Sequence, residues 1–133
     1  MDNATIEKLV NAAIAVAKKA YAPYSNYHVG AALYAEDGAI FTGCNVENAS
    51  YPITICAERT ALVKAVSEGQ QQFKAIAVVT RNGGSPCGMC RQMLYEFAPE
   101  LTVIIADFDG TVHQILPLCE LLPHGFGPKS LDE

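Results

Sequence analysis

Cys56-Ala57-Glu58 and Pro86-Cys87-Gly88-Met89-Cys90 together offer three thiols and one carboxylate. That set suits metal-assisted hydrolysis: three thiolates close most of a tetrahedron around zinc and leave the fourth position for a water. Glu58, two residues from Cys56, points along a different vector, so the spacing sets it beside the metal as a general acid and base. Three thiolates give the cluster a net negative charge, which weakens its pull on a water. Arg59 has two readings. Either its guanidinium donates to the sulfurs and restores some of the metal's acidity, or it is a surface helix residue paired with a carboxylate. A closed structural zinc site would need a fourth protein ligand, and no His or Cys stands at a finger or ribbon spacing to complete it. Cys44 and Cys119 each stand alone and read as core packing.

The elements around these residues explain how the thiols could meet. Thr54 reads as an N-cap for a helix over 56–68 that Gly69 stops. Ser85-Pro86 opens a second helix over 87–97, which ends before Pro99. Each thiol group then sits in a first helical turn, where unpaired N–H groups lower the pKa of a thiol. Upstream, residues 5–20 form an amphipathic helix with Ile6, Leu9, Val10, Ala13 and Ala17 on one face. Asp37-Gly38 joins strands over 29–35 and 39–45 as an antiparallel hairpin. Gly30, Ala31 and Ala32 leave the first of these thin enough for something bulky to approach. Strands over 75–80 and 102–106 alternate with the two helices, which implies right-handed crossovers and parallel pairing. A fifth strand over 111–115 returns antiparallel after a short turn, with His113 as an edge residue, and 117–122 makes a short helix. The expected fold is a three-layer α/β domain, with a mixed five-stranded sheet and helices on both faces.

The 133 residues, half of them hydrophobic, suit one domain over 1–133 with a real core. No basic segment followed by an apolar run marks a signal peptide, and no apolar stretch is long enough to span a bilayer. Five cysteines, an odd number with metal spacing, fit a reducing cytoplasm better than a disulfide scaffold. The net charge of −5 argues against a nucleic-acid partner. A small substrate is expected. Asn45 and Glu47, at the end of the second strand, carry the donors and acceptors to hold vicinal hydroxyls, or cap the strand end. Asn48 orders the adjoining loop, and His28 reads as a loop histidine.

The two cysteine motifs, with Asn45-Val46-Glu47-Asn48 upstream, resemble the small homotetrameric zinc-dependent cytidine deaminases. The likeness runs from Tyr21-Ala22-Pro23-Tyr24-Ser25 to Leu121-Leu122-Pro123 and Phe126. It implies one zinc per subunit on Cys56, Cys87 and Cys90, and hydrolytic deamination of cytidine and 2′-deoxycytidine in pyrimidine salvage. Glu58 would relay protons to the ring N3 and to the departing ammonia. Asn45 and Glu47 would hold the ribose, with Ala57 also at the substrate. Tyr27 takes a place where the family commonly has Phe against the base. Tyr51 opens a loop that reaches a neighbouring subunit, and Phe126 would enter a neighbour's site and stack on the pyrimidine; without a neighbour it would anchor the tail in its own core. A cytosine-bearing antibiotic or a nucleotide is the rival substrate, and a zinc-stabilised binding module the rival class.

Overall fold

Asp2 caps the first helix, α1 (Asn3–Ala17), its carboxylate accepting from the Thr5 N–H at 2.8 Å. The computed structural model describes residues 1–132. Asp37-Gly38 then turns β1 (Gly30–Ala35) into β2 (Ile40–Cys44), with Gly38 at φ 93° supplying the left-handed backbone that the turn requires. The pair is antiparallel, with Ala31 opposite Gly43 and Leu33 opposite Phe41. The remaining α-helices and strands are α2 (Ala57–Ser67), β3 (Phe73–Thr80), α3 (Gly88–Tyr95), β4 (Thr102–Asp107), β5 (Val112–Pro117) and α4 (Leu118–Leu121), with 3-10 turns over Tyr51–Ile53 and Pro128–Leu131.

The sheet order is β2-β1-β3-β4-β5, and only β3 and β4 pair in parallel. This corrects the expected pairing of the first crossover, because β1 lies between the two strands that α2 joins. Burial gives the reason. Ala31, Ala32 and Leu33 are inaccessible to solvent, whereas Ile40, Phe41 and Thr42 are half exposed, so β1 takes the interior place and β2 the edge.

Alternation along the strands feeds two cores. Ala32, Ala77, Val79 and Ile104 pack with Leu9, Val10 and Ala13 of α1. Leu33, Ile76, Val78 and Val103 face the other way, against Ala61, Leu62 and Ala65 of α2 and Leu94 of α3. The result is the expected three layers, helices on both faces.

Two glycines set how close the helices come. A Cβ on Gly30 would strike the Ala13 carbonyl, with the Ala13 carbonyl carbon 2.9 Å away, so the bulky neighbour of the thin first strand is α1. A Cβ on Gly43 would strike the Ala61 nitrogen and lie 2.6 Å from the Ala57 oxygen. Gly43 therefore lets the first turn of α2 rest on the sheet. Gly43→Ala is expected to destabilise the fold by about 1–3 kcal/mol through overpacking. Denaturant unfolding checks this, and an unchanged midpoint would show that α2 yields without cost.

Candidate active site

Both crossovers leave the sheet at the same end, after Cys44 of β2 and Thr80 of β3, so α2 and α3 begin side by side. The caps differ from the sequence expectation. Cys56 is itself the N-cap of α2 and Cys87 that of α3, both with extended backbone. Thr54 ends a 3-10 turn over Tyr51–Ile53 instead, and the Ser85 hydroxyl is taken by Arg91. Cys90 sits on α3, on the side that faces Cys87.

Together the three sulfurs form one cluster. Cys56 Sγ lies 3.8 Å from Cys87 Sγ, Cys87 Sγ lies 3.5 Å from Cys90 Sγ, and all three fall within 4.8 Å of one another. Zinc–sulfur bonds of about 2.3 Å in a tetrahedron put sulfurs about 3.8 Å apart, so the donors fit zinc in both softness and spacing. No other cluster of metal-ligating side chains lies together among the described residues. Cys90 is buried, Cys56 half-buried and Cys87 exposed, which leaves the open side toward the cavity.

Arg59 resolves in favour of the sulfurs. Its Nη2 donates to Cys56 Sγ at 3.5 Å and to the Thr54 oxygen at 3.3 Å, while its Nε is buried without a partner. The Cys90 thiol, then Arg59 and Cys87, hold the Cys56 thiol down at about 5 against the opposing effect of burial. Cys56 and then burial push the Cys90 thiol up, and a dication held by the three sulfurs would reverse that. Arg59→Ala is expected to keep the fold and weaken zinc binding about 10- to 100-fold. Competition against a chromogenic chelator reads that change; unchanged affinity together with an unchanged reaction rate would remove Arg59 from the metal's support.

Glu58 is 4% exposed, on the first turn of α2 and outside the sulfur cluster. Burial pushes its carboxyl up to about 7, with the Cys56 charge adding to the effect. That value leaves the group able to gain and lose a proton near neutrality. Glu58, Cys56 and Cys87 line a cavity of about 270 Å³ with Tyr27, Asn45 and Glu47. It lies just below the usual range of ligand sites, which starts at about 300 Å³, and suits one small metabolite. A larger cleft of about 640 Å³ opens among Asp2, Tyr34, Lys74 and Glu100, but none of the sulfurs lines it.

A zinc site with a buried carboxyl beside it is suited to hydrolysis by an activated water. Residues 3–106 match the family model described as the cytidine and deoxycytidylate deaminase zinc-binding region. The chain belongs to that family. It is 46% identical over 129 residues to the cytidine deaminase of Sporosarcina psychrophila, across 95% of this chain and 94% of the relative. With that of Halalkalibacterium halodurans it shares 45% over 130 residues, covering 96% and 98%. The crystal structure of cytidine deaminase from Burkholderia pseudomallei superposes with a TM-score of 0.86 at 47% identity, covering 95% of this chain and all of that one.

The other side chains singled out in the deaminase sequence fall in three places. Asn45 is 8% exposed; its Nδ2 donates to the Tyr27 oxygen at 2.8 Å and its Oδ1 accepts from the Val29 N–H at 2.9 Å. One N–H and one lone pair of that amide stay available to a ligand. The Glu47 carboxylate accepts from the Ser25 hydroxyl and from the Tyr24 and Ser25 N–H groups, at 2.9 and 3.1 Å, and the Ser25 hydroxyl foremost holds it below the usual carboxylate range. Asn45 and Glu47 thus brace the loop before β1 while facing the cavity. Ala57 is fully buried in the core and does not line the cavity. Tyr51 and Phe126, 69% and 59% exposed, do not line the cavity; Tyr51 meets Tyr24 edge-on at 5.6 Å.

Sequence reasoning missed the residues that shape the loop between β3 and α3. The Tyr27 hydroxyl donates to Asn82 Oδ1 at 2.6 Å, and Arg81 lies over the Tyr27 ring at 5.2 Å. Thr80 Oγ1 accepts from the Gly84 N–H at 2.7 Å. His113, expected to be a plain edge residue, pairs with Asp107 at 2.8 Å. Cys44 and Cys119 are only half-buried, and Cys119 Sγ faces Glu100 at 3.7 Å, so neither is the packed core thiol expected. None of these partnerships has a local sequence signal.

Proposed function

We propose that this protein converts cytidine and 2′-deoxycytidine to uridine and 2′-deoxyuridine with release of ammonia. The observation that carries the reading is the buried Glu58 carboxyl sharing one cavity with Cys56 and Cys87, in a chain of this family. Cys56, Cys87 and Cys90 would hold one zinc per subunit, and zinc in such a site supplies the Lewis acidity that brings a water near neutral pKa. Glu58 takes the proton of the attacking water and delivers it to N3 of the pyrimidine, which makes C4 electrophilic. Hydroxide adds to C4; Glu58 then takes the proton of the new C4 hydroxyl and passes it to the exocyclic nitrogen, so that the C4–N bond breaks, ammonia leaves and the C4 carbonyl forms. Arg59 offsets the charge of the thiolates. Asn45 and Glu47 turn their remaining polar capacity toward the sugar hydroxyls, and Tyr27 packs at the base.

Residues 1–133 form one catalytic domain in this reading, and four copies assemble. The exposure of Phe126 and Tyr51 supports that assembly, since an aromatic left out of its own core suits a neighbour's site. The five cysteines are free, which supports a reducing cytoplasm as the compartment. Among the described residues no helix is long and apolar enough to cross a membrane.

The test is absorbance-followed turnover by the purified protein, with zinc per chain measured on the same sample. Turnover of both nucleosides at about one zinc per chain bears the proposal out. Zinc-replete protein that ignores both nucleosides but deaminates a cytosine nucleotide or a cytosine-bearing antibiotic overturns the substrate assignment.

A further inference from the structure

Of the three sulfurs, Cys87 has the least of its own fold around it. Cys90 is buried within α3, and Cys56 has Arg59 at its sulfur. Cys87 is exposed, at the cap position, where its direction depends on the segment that precedes it. That segment, Ser85-Pro86, follows Gly83 and Gly84, the former at φ 69°, so the direction in which Pro86 delivers the chain is set by contacts made at Ser85 and Pro86.

One guanidinium supplies what the backbone lacks. Arg91, four residues past Cys87 and one past Cys90, donates from Nε to the Pro86 oxygen at 2.7 Å and from Nη2 to Ser85 Oγ at 2.9 Å. Its Nη1 donates to the Leu121 oxygen at 2.8 Å, at the end of α4, whose Leu118 is fully buried. The approach to Cys87 is therefore registered against the core through a planar fork of donors, a geometry that lysine cannot reproduce.

We propose that Arg91 is a positioning residue for the zinc ligand Cys87. It touches neither substrate nor metal. It fixes the two residues before the ligand, so that the Cys87 sulfur is already at tetrahedral spacing from its partners. The proposal rests on the reading of Cys56, Cys87 and Cys90 as the zinc ligands. A merely structural pin between α3 and α4 would stabilise the fold equally with and without metal; a positioning role shows in the metal itself.

The experiment follows zinc release from the loaded protein into a chromogenic chelator, with thermal unfolding of zinc-loaded and zinc-free samples alongside. Arg91→Lys and Arg91→Ala are expected to release zinc about 10- to 100-fold faster, while the zinc-free variants unfold at the parent's temperature. Ser85→Ala, which removes one of the three acceptors, should speed release by less and in the same direction. Parent-like release from both Arg91→Lys and Ser85→Ala overturns the proposal, as does an equal fall in unfolding temperature for loaded and zinc-free Arg91→Lys without faster release. A parent that binds no zinc, or keeps it after Cys87→Ser, fails the ligand assignment instead.

Discussion

Glu58→Gln is expected to keep one zinc per chain and the parent's unfolding temperature while turnover of cytidine falls about 10²- to 10⁴-fold. The amide has the shape of the carboxyl and fills the same buried place on the first turn of α2, packed above a sheet that Gly43 brings close. Burial already holds the Glu58 carboxyl up to about 7, so a neutral group in this place adds no desolvation cost. What the amide lacks is a proton that it can give and take back. The sulfur cluster does not include Glu58, so metal content should not move. Zinc analysis, thermal unfolding and the rate on one preparation test the three statements together. More than a tenth of the parent's rate would remove Glu58 from the proton relay.

The features that were legible in the sequence are those with short-range causes. Cys-x-x-Cys places two sulfurs on one side of a helix start whatever surrounds them, and Asp37-Gly38 makes a hairpin through local backbone preference alone. The strand after α3 pairs in parallel with the strand before it because a short helix allows little else. Cap identities were less legible. Thr54 and Ser85 are better intrinsic caps than cysteine, yet a metal cluster needs the thiols themselves at the helix ends, and that demand overrides local preference. The place of β1 between β2 and β3 depends on which strand buries both faces, a property of the whole sheet.

Side-chain partnerships across long stretches of chain were not legible at all. Tyr27 and Asn82 are 55 residues apart, and Arg91 reaches 30 residues on to Leu121. Nothing at either end announces the other, because a tyrosine hydroxyl or a carbonyl takes whatever donor or acceptor the fold delivers. These contacts shape the loop that carries Cys87. The chemistry is thus announced by residue type, while the precision with which it is held comes from residues of ordinary type.

Stripping the metal with a chelator is expected to abolish turnover, lower the unfolding temperature, and have both restored by zinc. The sulfurs come from the starts of two helices whose strands lie in different parts of the sheet, so an ion that joins them ties α2 to α3 directly. Without it, the thiol contacts of Cys87 with Cys90 and Cys56, at 3.5 and 3.8 Å, are weak substitutes for metal–sulfur bonds. Because zinc binds the folded site far better than the unfolded chain, loading adds about 4 kcal/mol of stability once free zinc exceeds its dissociation constant a thousandfold. The exposed Cys87 gives the chelator its point of attack, so loss should be complete under native conditions. Protein stripped below a tenth of a zinc per chain that still deaminated cytidine at the parent's rate would sink the metal's role in the reaction. An unfolding temperature unmoved by stripping would leave that role intact and show that packing alone, through Gly43 and the core on the α2 face of the sheet, sets the two helix ends together.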